Sequence, residues 1–195
     1  MDVKAQKLRS AFEQRSGSFP LDHPARAARD DASWEDALVS GGLAYLLAPS
    51  FNDPAERSLA LVFARAQRGV FVPFLENRTP CLRDLWGGGT FLLLARDDVG
   101  RALREVQGVP FVGRLVAGAD GCAVLPGRVW LPEEALPLLP PILRAARARG
   151  LGVDDVVEAL LRMEHALASQ SRIKPKVAFR PEELDRRPAG TRNRL

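Results

Sequence analysis

The sequence predicts an α+β fold: a mixed β-sheet, built of βα units plus an antiparallel meander, flanked by helices. Three stretches carry that prediction. In 90–108 an apolar run over 91–95 leads through Arg96-Asp97-Asp98 into an amphipathic segment that ends at Gly108. In 111–131 three short apolar runs are separated by Gly118-Ala119-Asp120-Gly121 and by Pro126-Gly127, the pattern of strands joined by tight turns. Capped amphipathic segments lie on either side, above all 53–66 and 153–168.

In chain order, 2–16 reads as an amphipathic helix with Ala5, Leu8 and Phe12 on one side and Gly17 behind it. The polar, proline-containing segment 18–31 reads as a surface linker. Ser33-Trp34-Glu35-Asp36 resembles a capping box with Asp in place of Glu; it opens a short helix ending at Gly41-Gly42. The apolar run 43–47 is expected to be a strand. Asp53 then caps a helix whose first position is Pro54, with Glu56 three residues after the cap. Ala55, Leu59, Val62, Phe63 and Ala66 form its expected buried stripe, and Gly69 its stop. A strand over 70–75 follows, Pro73 marking an edge or a bulge. The loop 76–89 holds one helical turn around Leu82-Arg83-Asp84-Leu85.

The run 91–95 has the length and composition of a strand covered on both faces, entered from Gly87-Gly88-Gly89. Asp97 or Asp98 caps the next helix. Val99, Ala102, Leu103 and Val106 share one face of it, and Gly108 stands where a left-handed terminal residue is wanted. Strands at 111–117, 122–125 and 128–131 complete the sheet. Pro132-Glu133-Glu134 begins a helix that Pro137, Pro140 and Pro141 interrupt; its second part ends at Gly150. Val153, Val156, Val157, Leu160 and Leu167 mark the last helix, with Asp154 and Asp155 in its first turn. The chain thus divides into an N-terminal helix and linker (1–32), an α+β domain (33–168) and a basic, extended C-terminal tail (169–195).

Length and composition suit one domain: 195 residues, 46% of them hydrophobic, can bury a sizeable core. No apolar run approaches the ~20 residues that span a bilayer. The start, Met1-Asp2-Val3-Lys4, has no apolar signal region behind it. A cytoplasmic protein without a membrane span is expected. Cys81 and Cys122 fit a reducing compartment; they can form one bridge, but two cysteines make no disulfide framework. Charge is segregated. Residues 171–195 hold eight basic and three acidic side chains, the rest of the chain 20 and 21. The body has no net reason to seek polyanions, whereas the tail does.

Candidate chemistry is sparse. Gly87-Gly88-Gly89-Thr90 precedes a strand and is not followed by a Lys-Ser/Thr pair, so a plain turn suits it better than a phosphate loop. Asp97 and Asp98 lie at the end of a strand, where open sheets place acids, yet a helix cap accounts for them without further ligands. His23 and His165 are unpaired by spacing, and neither a zinc cluster nor a Cys–His nucleophile is indicated. Arg144, Arg147 and Arg149 close a helix. No cofactor and no metal are expected. Trp86, beside three glycines, is the aromatic expected to be exposed and to contact a partner. The strongest lead is the tail, where Arg172, Lys174, Lys176, Phe179, Arg180, Arg186, Arg187, Arg192 and Arg194 alternate with prolines and a few apolar residues. Such a segment can lie along a partner, cations on acidic groups and apolar residues in pockets.

Residues 69–139 resemble the N-terminal domain of the SseB-like family, the enhanced serine sensitivity proteins. The likeness rests on Val70-Phe71-Val72-Pro73, on the strand–helix unit 91–106, on Val109-Pro110-Phe111-Val112, on Val124-Leu125-Pro126-Gly127 and on Leu131-Pro132-Glu133-Glu134. The family often has Thr-Ser after the central strand, where this chain has Arg96-Asp97-Asp98, and the family's Asn before Pro126 is missing. The resemblance implies an accessory or binding role and carries over no functional residues. The leading expectation is a non-enzymatic interaction protein that docks on a larger assembly through its tail. The alternatives are nucleic-acid binding through the same tail and an enzyme with a carboxylate site at Asp97 and Asp98.

Overall fold

A computed structural model describes residues 2–94, 106–170 and 172–185. It has the α+β class expected: helices packed on a six-stranded sheet. Helix α1 (Asp2–Ser16) lies against α2 (Arg26–Leu38) and against the long helix α6 (Val153–Ser169). Between α2 and the sheet come α3 (Leu43–Leu47), a 3-10 turn (Ala48–Ser50) and α4 (Pro54–Phe63). After the sheet, the 3-10 turn Glu133–Leu138 leads into α5 (Leu139–Ala148), then α6. Pro140 and Pro141 occupy the first turn of α5, where a missing N–H costs nothing, so they open that helix rather than interrupt it.

The strands are β1 (Gln67–Glu76), β2 (Thr79–Asp84), β3 (Thr90–Leu92), β4 (Phe111–Gly118), β5 (Gly121–Val124) and β6 (Val129–Trp130). Their order is β3-β2-β1-β4-β5, with β6 also beside β4. Among the described residues every ladder is antiparallel, where a mixed sheet of βα units plus a meander was expected; the parallel element among them is the isolated bridge Leu93–Cys122. That bridge, with Leu94 N–H donating to the Cys122 carbonyl at 3.0 Å, brings the two edges of the sheet together. The sheet therefore rolls on itself. Phe71, Leu82, Leu93, Phe111, Leu115, Cys122 and Val124 fill one side. Val70, Val112 and Val129 join the helical core, which holds Phe12, Leu139, Ile142 and Leu160. Neighbours such as Val70 and Phe71 serve different cores because successive strand residues point to opposite faces.

Several expectations change. Segment 18–31 is not a surface linker: α2 begins at Arg26, and Phe19 and Arg29 are buried. Phe12 and Ala32 share one core with α5 and α6. Run 43–47 is helical, not a strand, because Gly42 adopts φ +70° and starts a new turn directly after α2; five apolar residues alone do not distinguish the two. Gly69 is a strand residue, not a helix stop, and a Cβ there would run into the Phe71 ring. The loop 76–89 contains no helical turn at 82–85. It is a hairpin, closed by Asn77 and Arg78 at φ +49° and +67°, the two left-handed residues a tight hairpin needs.

Pro73 lies in a central strand and pairs with Leu82 of β2, but the β1–β4 ladder ends at Phe71, so its missing N–H falls on the side of β1 where that ladder has already stopped. Strand 91–95 is shorter than expected and sits at an edge with Leu92 half exposed. The turn Pro126-Gly127 does not pair β5 with β6; both lie along β4, two residues out of step, so the turn is a bulge in one interrupted strand. The helix expected after Asp97 and Asp98 lies outside the described residues, although Gly108 has the expected left-handed φ of +81°.

Candidate functional site

Within the C-terminal segment, the described residues 172–185 are not extended. After α6, Ile173 N–H donates to the Gln170 carbonyl at 3.1 Å, and Lys174-Pro175 opens the one-turn helix α7 (Pro175–Ala178). Pro175 supplies a preset φ at the first position, and Phe179 N–H closes the turn on the Pro175 carbonyl at 2.8 Å. A 3-10 turn follows at Pro181–Asp185. Ala178, Phe179 and Leu184 enter the helical core, and Phe179 is only 2% exposed. Phe179 is therefore corrected from a partner contact to an anchor: its apolar area is worth more inside than in water.

The cations are displayed around that anchor. Arg172, Lys174 and Lys176 are exposed, and their side chains make no hydrogen bond or ion pair to any described residue. Val177 stands among them, 44% exposed. Arg180 is committed to Glu183 at 3.0 Å, and Asp185 to Arg149 at 2.7 Å. Arg186, Arg187, Arg192 and Arg194 lie outside the described residues, as do Asp97 and Asp98. Trp86 is corrected too. It is half buried against the helical core, and the Arg147 guanidinium sits 4.8 Å from its ring centroid and donates to its carbonyl. Gly87-Gly88-Gly89 forms a plain turn in which Asp84 accepts from Trp86 N–H at 2.8 Å.

Three other groupings were not legible as sites. Asp36 accepts from Arg15 and Arg114 at 3.0 Å each and pairs with Arg68 at 3.5 Å; Arg68 also reaches Asp154 and Arg15 reaches Glu158. Beside this network Glu35 accepts from Gly127 N–H at 2.5 Å. Burial pushes the Glu35 carboxyl up to about 7, against the Gly127 bond, and brings the Arg114 guanidinium down to about 10. The adjoining cavity, about 20 Å³, has room for about one water. The network joins α1, α2, β1, β4 and α6, and its carboxylates are already satisfied by the chain.

Phe19 gathers the two histidines: His23 stacks on it at 4.2 Å and His165 lies at 4.7 Å. His165 Nε2 donates to the Ser18 carbonyl at 2.8 Å, Arg29 pairs with buried Glu164 beneath, and burial lowers the His165 imidazole. The described residues contain no group of three His, Cys, Asp or Glu placed to hold a metal ion. Cys81 and Cys122 are free and buried. Burial pushes the Cys122 thiol up to about 11 and raises Cys81 as well, which disfavours the nucleophilic thiolate at both.

The third grouping is a groove of about 320 Å³ between α3 and α4, lined by Leu38, Leu47, Phe51, Leu59 and Phe63 with Glu56 at its rim. The cap predicted for α4 is present, Asp53 accepting from Ala55 N–H at 2.8 Å. The predicted stripe is buried only at its far end: Ala66 is buried and Phe63 half-buried, whereas Ala55, Leu59 and Val62 are exposed, Leu59 by 56%. No described helix is long and apolar enough to cross a membrane. Comparison with known proteins returned no matching family model, no matching curated protein and no matching solved structure.

Proposed function

We propose that the protein is a non-enzymatic intracellular accessory protein that docks on an acidic face of a larger protein assembly through its C-terminal cations. The observation that carries this reading is Arg172, Lys174 and Lys176 exposed around Val177 on a segment pinned by Phe179. A cation on a pinned turn has already lost much of the freedom that binding would otherwise have to remove. An apolar residue at the centre of the patch suits a protein surface. The burial of both thiols and the internally paired carboxylates of Asp36 and Glu158 support a binding role over catalysis.

The test is a fluorescence-anisotropy titration of a labelled peptide rich in Asp, Glu and Leu against the full chain and its R172A/K174A/K176A variant. Exposed ion pairs contribute about 0.2–1 kcal/mol each. Removing three weakens binding by roughly three- to a hundredfold while the melting temperature stays put. Equal affinity in both proteins contradicts the reading.

A further inference from the structure

Segment 17–25 joins α1 to α2 through one phenylalanine and two histidines. Phe19 is buried. His23 stacks on its ring, His165 of α6 packs beside it, and the Arg29 guanidinium of α2 lies 5.4 Å from the ring centroid. Gly17, at φ +89°, leaves the room that the His165 ring fills, since a Cβ there would run into that ring. Both imidazoles hold the backbone. His23 Nδ1 accepts from Ala25 N–H at 3.1 Å, directly before α2, and His165 Nε2 donates to the Ser18 carbonyl at 2.8 Å. A neutral imidazole has one donor and one acceptor nitrogen, whereas the imidazolium has two donors. Protonating His23 therefore turns the acceptor of Ala25 N–H into a donor that faces another donor.

We propose that segment 17–25 is an acid-released latch: neutral His23 and His165 hold Phe19 between α1, α2 and α6, and their protonation in mildly acid solution frees the segment and its phenylalanine. The charged groups around the cluster are already committed. Glu13 of α1 pairs with Arg26 of α2 at 3.5 Å. Arg26 also reaches Asp30 at 3.0 Å and donates to the Phe19 carbonyl at 2.9 Å. Arg29 pairs with Glu164 of α6, and Arg162 of α6 donates to the Arg15 carbonyl at 3.2 Å. Asp22, on the segment itself, is exposed, where water and salt screen its charge. A new imidazolium at position 165 thus adds a positive charge near Arg29 without gaining a buried carboxylate of its own. Burial lowers the His165 imidazole; the Ser18 bond opposes this, and Arg29 and His23 add to it. The closed latch therefore binds fewer protons than the open one. Closure is at full strength above about pH 6.5, the ordinary imidazole value, and weakens as pH falls below it. Glu164, which burial raises, titrates in the opposite sense and is left in place in the variant that tests the latch.

Amide hydrogen exchange of the full chain at pH 7.5 and 5.5, corrected for the intrinsic pH dependence of exchange, tests this against a His23→Asn/His165→Gln double variant. Asn at 23 can still accept from Ala25 N–H and Gln at 165 can still donate to the Ser18 carbonyl, but neither takes up a proton in this range. Relative to the variant, the parent chain should lose protection over 17–25 at pH 5.5 by about tenfold for each imidazole that the closed latch holds neutral. The sheet amides should respond alike in both proteins. The same pH response of 17–25 in parent and variant overturns the proposal. The unaltered chain gives a second reading that needs no variant. It has two histidines, so their imidazole resonances are readily followed, and those of the Phe19 ring should move to solvent-like positions as the two titrate. A Phe19 ring that keeps its buried shifts once both histidines are charged also overturns the proposal.

Discussion

Replacing Phe179 by alanine tests whether the chain end is folded onto the body. The ring is 2% exposed and belongs to the same core as Leu139, Ile142 and Leu160. α7 itself packs against α6 and the 3-10 turn at Glu133–Leu138, so neighbouring elements are held and cannot collapse freely into the space. Truncation of a buried phenylalanine then costs about 3–5 kcal/mol, against a total stability of about 5–15 kcal/mol for a natural domain. For a chain of this length about 2–4 °C is lost per kcal/mol, so the melting temperature falls by about 6–20 °C. Differential scanning calorimetry measures it. Lys174→Ala and Lys176→Ala, exposed and without described partners, change stability by no more than about 0.5 kcal/mol. The same F179A protein binds the acidic peptide more weakly although no charge has been removed, because the cations lose their platform. If F179A melts with the parent and binds equally well, the segment is not anchored and the cationic face is not a built feature.

Two further predictions concern the buried charges. Glu35 is held at about 7 in the folded protein against 4.5 as its ordinary value. The native state therefore keeps a proton that the unfolded chain has released across that window, and stability falls as pH rises from about 4.5 to about 7, by up to about 3 kcal/mol, then levels. Urea denaturation at the two ends of the window shows this slope reduced in Glu35→Gln; an unchanged slope contradicts the assignment. Asp36→Asn withdraws the carboxylate shared by Arg15, Arg68 and Arg114. It leaves two nearly buried guanidiniums underpaired, at a cost of about 3–5 kcal/mol; a loss below about 1 kcal/mol in the same assay would show the network to be exposed to water.

What the sequence reveals follows from how local each signal is. The α4 cap, the α1 and α6 stripes and the β4 run depend on residues close together in the chain, and each is where the pattern puts it. The β1–β2 hairpin was hidden because Asn77-Arg78 lacks the glycine that usually announces such a turn. Segment 43–47 is too short for its apolar run to choose between strand and helix. The meeting of β3 with β5 depends on Leu93 and Cys122, 29 positions apart, and has no local sign. The candidate site divides in the same way. Its exposed cations are legible from charge alone, but Phe179 and Leu184 sit among Lys, Arg and Glu, which masks their apolar role. The cluster of Phe19, His23 and His165 and the ion pairs of Asp36 join residues from opposite ends of the chain. The stripe on α4 was legible; that Ala55, Leu59 and Val62 stay exposed was not, since sequence spacing does not say whether a face is covered.

The central claim, that the C-terminal cations recognise an acidic protein surface, is tested most directly by competition. The full chain is loaded with the labelled acidic peptide and titrated with duplex DNA over a range of salt concentrations. The peptide should stay bound at physiological ionic strength and resist displacement. Displacement by DNA, with an affinity whose logarithm falls by about 0.9 per phosphate contact for each tenfold rise in salt, would make the patch a nucleic-acid surface instead.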